Sequence, residues 1–176
     1  MKGALIVGGV ILGLGALAVG IWLWFRSREV GIDAVMGKLR WDKREFPLEV
    51  VVDYENLDGG DEIEAAIKMV REEAPGLLSA EVGDWRVVRR RLNIVVRKGE
   101  ENSTTRITDG MGRILYAKIR LKPKEYDRWV VLHELLHALG AEHMKRGIMA
   151  PEMRLGAAGD LLWRPVVRAI NRAYKE

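Results

Sequence analysis

The sequence predicts one α+β domain, and two kinds of pattern lead to this class. Apolar residues alternate in short runs near residues 48–54, 92–96 and 115–121, as they do in strands that bury one face. Two longer segments, at residues 61–74 and 125–139, repeat apolar residues at helical spacing. At 176 residues the chain has room for one domain of ordinary size and little else.

An uncharged and strongly apolar stretch at residues 3–25 predicts a transmembrane helix ahead of this domain. About 20 apolar residues are enough to cross a bilayer as a helix. The stretch ends in Trp22-Leu23-Trp24-Phe25 next to Arg26, and aromatic and basic residues favour the membrane interface. A cleaved secretory signal, with Ala16-Leu17-Ala18 as its cleavage site, is the alternative.

The chain is accordingly divided into three parts: an anchor at residues 1–26, a linker at residues 27–40 and a globular domain at residues 41–176. Within the anchor, Gly9 and Gly13 form a small-xxx-small pair that lets two membrane helices approach closely. Because glycine is common in membrane helices, this pair predicts only weak self-association.

The domain opens with a strand and a helix. The strand places four side chains on one face: Leu48, Val50, Val52 and Tyr54. After a glycine turn, Asp61 is expected to cap the helix, with Glu64 three residues later. The helix carries one apolar stripe, formed by Ile63, Ile67, Val70 and Ala74. Calcium binding by Asp58 and Asp61 is a weaker expectation, since two carboxylates in such a turn are more often a turn and a cap.

Two further strands are predicted, at residues 85–97 and 112–123. In the first, Leu92, Ile94 and Val96 alternate as in a half-buried strand. In the second, the inward side chains are Leu115, Ala117, Ile119 and Leu121. The first strand also contains Arg89 to Arg91, and the net charge is +4. No nucleic-acid motif accompanies these arginines, so we interpret them as a solvated strand face and predict no nucleic-acid partner.

All three histidines of the chain lie in the segment HELLHALGAEH, from His133 to His143. His133 and His137 are four residues apart on the predicted helix, so their imidazoles project from one face and can bind the same metal ion. Glu134 is rotated by about 100° from His133 and can act on a water without being a ligand. Gly140 lets the chain turn, which returns His143 as a third nitrogen ligand. Three protein ligands leave one tetrahedral position of zinc open, as in catalytic sites.

The same segment resembles the metzincin clan of zinc endopeptidases, because it matches the pattern H-E-x-x-H-x-x-G-x-x-H at every fixed position. The clan has a tight turn with a methionine beneath the metal, and Met149 follows His143 with Gly147 to ease the turn. The similarity is greatest to the matrixin branch, whose Met-x-Pro-x-Tyr segment corresponds to Met149-Ala150-Pro151-Glu152-Met153.

The resemblance implies a fold and a set of substrate contacts. The fold is a small twisted mixed sheet with an active-site helix and a C-terminal helix. An edge strand runs antiparallel to bound substrate, and residues 112–123 occupy its expected place. The substrate-binding residues of that strand would be Ile114, Tyr116 and Ala117. Pro151 and Met153 are expected to line the pocket for the residue after the cut, with Met153 in place of the family's tyrosine.

These features predict a membrane-anchored endopeptidase with one catalytic zinc ion and a protein or peptide substrate. Glu134 would activate the zinc-bound water and pass its proton to the leaving amine. Two alternatives remain: a membrane-anchored, zinc-containing binding or assembly protein without significant proteolysis, and a hydrolase of cell-wall peptides. Metzincins mostly act outside the cytoplasm, which implies an extracytoplasmic domain, whereas the positive charges of Arg26 and Arg28 favour the opposite orientation.

Overall fold

The computed structural model describes residues 30–84, 93–145, 147–151 and 163–175. The predicted anchor at residues 3–25 and the basic segment from Arg89 to Arg91 lie outside these ranges. No helix within the described ranges is long and apolar enough to span a bilayer.

The described part of the chain combines helices with one sheet, which agrees with the predicted mixed class of fold. The elements are α1 (Ile32–Val35), β1 (Arg40–Trp41), β2 (Leu48–Val52), α2 (Gly60–Glu73), β3 (Leu78–Asp84), β4 (Ile94–Lys98), β5 (Ser103–Thr108), β6 (Arg113–Leu121), α3 (Arg128–Ala138) and α4 (Trp163–Lys175). A short 3-10 helix, Lys43–Glu45, links β1 to β2.

The strands form one sheet in the order β1-β6-β4-β2-β3, and neighbouring strands in this path are parallel. β5 is the exception, because it pairs with β6 in the antiparallel direction. β6 is paired with β4 from Ala117 to Leu121 and with β5 from Ile114 to Arg120. The sheet is therefore mixed, with β6 in its interior.

The expectation that residues 112–123 form an edge strand is wrong, because both sides of β6 carry a partner strand. Among the described strands β5 is the edge next to β6, with which alone it pairs, and β3 is the edge at the other end of the sheet. Its sequence, Ser-Thr-Thr-Arg-Ile-Thr, buries none of its side chains. Hydrophobic alternation therefore gave no signal for β5, which backbone pairing with β6 holds in place.

The central strand β4 is buried on both faces rather than one. Ile94, Val95 and Val96 are consecutive and at most 1% exposed. Parallel strands in the middle of a sheet are covered on both sides and have continuous apolar runs, which explains the difference from the predicted half-buried strand. Leu92, the first residue of the predicted alternation, lies outside the described ranges.

β6 follows the predicted alternation over only part of its length. Ala117, Ile119 and Leu121 are fully buried, as predicted, whereas Leu115 is 37% exposed and Ile114 is buried instead. The pairing with β5 shifts register at this point, between Ile107 and Thr108. An extra residue in one strand of a bulge reverses which side chains point inward, so Leu115 faces outward.

α2 buries the predicted apolar stripe but begins differently from the prediction. Gly59 is the N-cap residue, with a φ of 91°, and no side chain caps the helix. Asp61 lies in the first turn, so the expectation that it caps the helix is wrong. A glycine at this place adopts the left-handed conformation without a steric cost. The negative charge of Asp61 in the first turn then interacts favourably with the positive end of the helix dipole.

The part of the expected linker at residues 27–40 that the structure describes packs against the domain, while residues 27–29 lie outside the described ranges. Val35 is 1% exposed and is part of the main core. Met36 forms an antiparallel bridge with Ala141, and the Glu142 N–H donates a 2.8 Å hydrogen bond to the Val35 carbonyl. Residues 35–37 therefore pack against the loop that follows α3, and the Val30 carbonyl accepts a hydrogen bond from Arg172 of α4.

Candidate metal and catalytic site

α3 has a side-chain N-cap, Asp127, which sets where the helix begins. The Asp127 carboxylate accepts hydrogen bonds from the Trp129 and Val130 N–H groups, at 2.9 and 3.0 Å. The helix is apolar on nearly every side and lies in the core, so its polar residues stand out. His133 and Glu134 are each only 7% exposed. Burying polar groups in this way costs free energy unless they have partners, which directs attention to their contacts.

The end of α3 turns the chain sharply at Gly140, as the sequence predicts. Gly140 has a φ of 101°. Its N–H donates to the His137 carbonyl at 2.9 Å, and the Ala141 N–H donates to the Leu136 carbonyl at 3.0 Å. These two bonds define a Schellman motif, in which a left-handed glycine ends the helix. The turn carries the chain back toward the imidazole face, where His143 lies.

Substitution Gly140→Ala is expected to lower the free energy of unfolding by about 2 to 4 kcal/mol. Alanine disfavours a positive φ, and its Cβ would lie 2.9 Å from the Tyr174 hydroxyl and 3.1 Å from the Leu39 carbonyl oxygen. Thermal unfolding followed by circular dichroism measures the loss. Gly76→Ala is the matched control, because no atom lies within 4 Å of a Cβ at that position. Equal melting temperatures for the two variants would contradict the role given to Gly140.

The three predicted histidines come together. One ring nitrogen from each of His133, His137 and His143 lies within 4.8 Å of the others. The Nε2 atoms of His133 and His137 are 3.1 Å apart. His133 is buried, His137 is half-buried and His143 is exposed, so the cluster extends from the core to the surface of the domain. Such a group can hold a metal ion.

The hydrogen bonds of His133 and His137 fix where their protons lie. His133 Nδ1 is 2.5 Å from the Ile148 carbonyl oxygen, and His137 Nδ1 is 2.8 Å from the Ala141 carbonyl oxygen. A carbonyl oxygen only accepts, so each Nδ1 must carry the hydrogen and donate it. In a neutral imidazole, Nε2 then presents its lone pair. Both Nε2 atoms are thus oriented as metal ligands, with the backbone contacts that ligand histidines usually have.

Neutral imidazoles with facing lone pairs repel each other unless a cation lies between them. Burial lowers the pKa of His137 to about 4, and the charges of His133, His143 and Arg106 act in the same direction, against the hydrogen bond to Ala141. His137 is therefore neutral near pH 7, and its Nε2 presents a lone pair toward His133. Two nitrogens about 2.05 Å from one tetrahedral zinc ion are about 3.3 Å apart, close to the distance observed.

Glu134 follows His133 in α3 and does not belong to the group of three histidines. Its Oε2 accepts a 2.7 Å hydrogen bond from the Thr104 hydroxyl, which is also 2.9 Å from the Glu134 carbonyl oxygen. Thr104 is on β5, the edge strand. The Glu134 carboxylate is therefore held by an element other than its own helix, and it does not belong to the group that could bind a metal ion.

The predicted turn around Met149 is present. Gly147 has a φ of 84°, and its carbonyl accepts a hydrogen bond from the Ala150 N–H at 3.0 Å. The Met149 side chain is fully buried, and the preceding residue, Ile148, supplies the carbonyl that holds His133. Pro151 is exposed at the end of this segment, and Met153 lies outside the described ranges.

A second side chain of β5 reaches the site from the same face as Thr104. The Arg106 guanidinium forms a 2.8 Å ion pair with Glu142 and longer hydrogen bonds, of 3.4 and 3.5 Å, to the Ala141 and His137 carbonyls. Sequence reasoning missed both β5 residues. The only available signal was their spacing of two residues, which becomes informative once the polar segment is known to be a strand.

The other predicted site residues lie elsewhere. Ile114 and Ala117 are buried within β6, and Tyr116 pairs with Ile107, so the substrate contacts expected for this strand have no open edge. In the part of the chain that the structure describes, the three histidines are the only group of three or more histidine or carboxylate side chains placed to hold a metal ion, and Asp58 and Asp61 do not belong to it.

Comparison with known proteins adds no further assignment: no family model matches the sequence, and no curated protein matches it significantly. The interpretation of the site therefore depends on its own geometry.

Proposed function

We propose that this chain is a zinc-dependent endopeptidase of the metzincin type, anchored to a membrane by residues 3–25. One observation carries the proposal: the Nε2 atoms of His133 and His137 face each other at 3.1 Å while both Nδ1 atoms contact backbone carbonyls. With His143 this gives three nitrogen donors, which is the ligand set and number of a catalytic zinc site. The donor chemistry fits zinc, and no cysteine is present to build a thiolate site.

The residues of the site divide the reaction between them. When bound by the three histidines, a zinc ion supplies a Lewis acid that polarises a carbonyl and lowers the pKa of water to about 7. Glu134 would take a proton from the water while the oxygen of the water forms a bond to the peptide carbon. As the carbon–nitrogen bond breaks, Glu134 returns this proton to the leaving amine, so the carboxylate is regenerated.

The substrate is proposed to bind along β5 rather than β6. An extended peptide can add to a sheet edge by backbone hydrogen bonds, which select an unfolded segment over a folded one. β5 has that edge in the described sheet, and its Thr104 and Arg106 contact Glu134 and the end of α3. A peptide on this edge would therefore lie beside the residues that act on it.

The proposed anchor determines where the enzyme works. The described domain begins at Val30, so only residues 26–29 separate it from the apolar stretch at 3–25. The domain would stay close to the bilayer surface, and the metzincin resemblance favours the extracytoplasmic side. Digestion of the domain by added protease in intact cells, compared with permeabilised cells, tests this orientation.

The experiment that tests the function uses the full-length chain purified in detergent. We expect about one zinc ion per chain by mass spectrometry, and cleavage of an unstructured protein that stops on chelation and returns when zinc is added. One zinc without cleavage would contradict the enzyme and favour the binding or assembly protein. Absence of zinc after purification and zinc addition would contradict the metal site itself.

A further inference from the structure

We infer that Thr104 is a positioning residue for Glu134, an inference that rests on the proposed function. Its hydroxyl oxygen lies 2.7 Å from Glu134 Oε2 and 2.9 Å from the Glu134 carbonyl oxygen. Both distances are typical of a hydrogen bond donated by a hydroxyl. A single side chain from another element therefore contacts the backbone and the carboxylate of the same residue.

The hydroxyl has one proton and two neighbouring acceptors, so it donates to one of them at a time. The contact with Oε2 is the shorter of the two, and it joins the end of the Glu134 side chain to β5. Thr104 thereby restricts the rotation of the Glu134 side chain through a contact from another element.

The position of Thr104 follows from the register of β5. Thr104 pairs with the buried Ile119, whereas the next residue, Thr105, pairs with Lys118 on the other face and is exposed. Within the described ranges no hydrogen bond reaches Glu134 Oε1, so the contact with Thr104 leaves that oxygen to act on water. The proposed substrate edge and the proposed base are thereby connected through one residue of β5.

The test compares three variants of the full-length, zinc-loaded chain on an unstructured protein substrate. Thr104→Val removes the hydroxyl at constant shape, and we expect kcat to fall by about 10- to 100-fold with KM unchanged. Thr104→Ser restores the hydroxyl and should keep kcat within about threefold of the parent. Thr105→Val makes the same change on the opposite face of the strand and is the control for zinc content and melting temperature.

Two further measurements separate positioning from a general loss of structure. Zinc content and melting temperature of Thr104→Val should match those of Thr105→Val, and crystal structures should show that the Glu134 carboxylate has moved in Thr104→Val alone. A Glu134 side chain in its original place would overturn the inference, as would equal kcat values for Thr104→Val and the parent.

Glu134→Gln identifies which idea has failed. If that variant is inactive while Thr104→Val keeps the parent's kcat, the proposed function stands and the role of Thr104 is wrong. If the parent cleaves no faster than Glu134→Gln, the proposed function is wrong and the inference falls with it.

Discussion

Substitution Glu134→Gln is expected to lower kcat by about 1,000-fold or more while about one zinc ion per chain stays bound. The amide has nearly the shape of the carboxylate, and its oxygen can still accept from Thr104, but it cannot take a proton from water. Zinc binding should persist because Glu134 does not belong to the histidine group. The measurement is kcat on an unstructured protein, with zinc content determined on the same sample.

The control for this variant is another carboxylate of the same type. Glu125 is exposed and forms an ion pair with Lys122, so Glu125→Gln should leave both kcat and zinc content as in the parent. Cleavage by Glu134→Gln at the parent's rate would show that another group is the base. Loss of zinc from Glu134→Gln would show that the carboxylate takes part in metal binding.

The histidine cluster could be predicted from the sequence because it depends on local geometry. Residues four apart on a helix share a face, so the proximity of His133 and His137 followed once the helix was predicted. Gly140 was predictable for a similar reason, since a glycine after the last apolar position is typical of a left-handed helix end. The return of His143 to the other two histidines required only that this turn form.

The partners of these residues could not be predicted, because they come from distant parts of the chain. The carbonyls of Ile148 and Ala141 carry no side-chain signature, yet they determine the protonation of the two rings. Thr104 and Arg106 belong to a polar strand that only pairing with β6 defines. Sequence patterns describe which residues bury a face, whereas strand order and register depend on contacts between segments far apart.

The mistaken edge strand illustrates the same limit. The alternation of β6 predicts a strand, and the metzincin resemblance implied that this strand receives a substrate, whereas β5 has no alternation and was not predicted. Strong alternation indicates burial, however, and an open edge is better served by polar residues that discourage aggregation. The polar composition of β5 is thus a feature of an exposed edge, visible only after the sheet order is known.

Substitution His137→Gln is expected to weaken zinc binding by about 1,000-fold, because it removes one of three nitrogen ligands from a site whose whole binding energy is on the order of 10 kcal/mol or more. The glutamine amide can still donate to the Ala141 carbonyl, so the turn after α3 keeps its contact, but a neutral amide is a poor zinc ligand. The dissociation constant is measured by competition with a chelator of known affinity.

The control variants replace the two carboxylates for which calcium binding was considered from the sequence. Asp58→Asn and Asp61→Asn should keep the parent's zinc affinity, since neither residue belongs to the histidine group. Zinc should also raise the melting temperature of the parent and of these controls, because a ligand that binds only the folded state at about 1,000 times its dissociation constant adds about 4 kcal/mol of stability. His137→Gln should lose this rise at the same zinc concentration. If it keeps both the rise and the affinity, the ion is bound elsewhere in the chain, and the geometry of the three imidazoles has another cause.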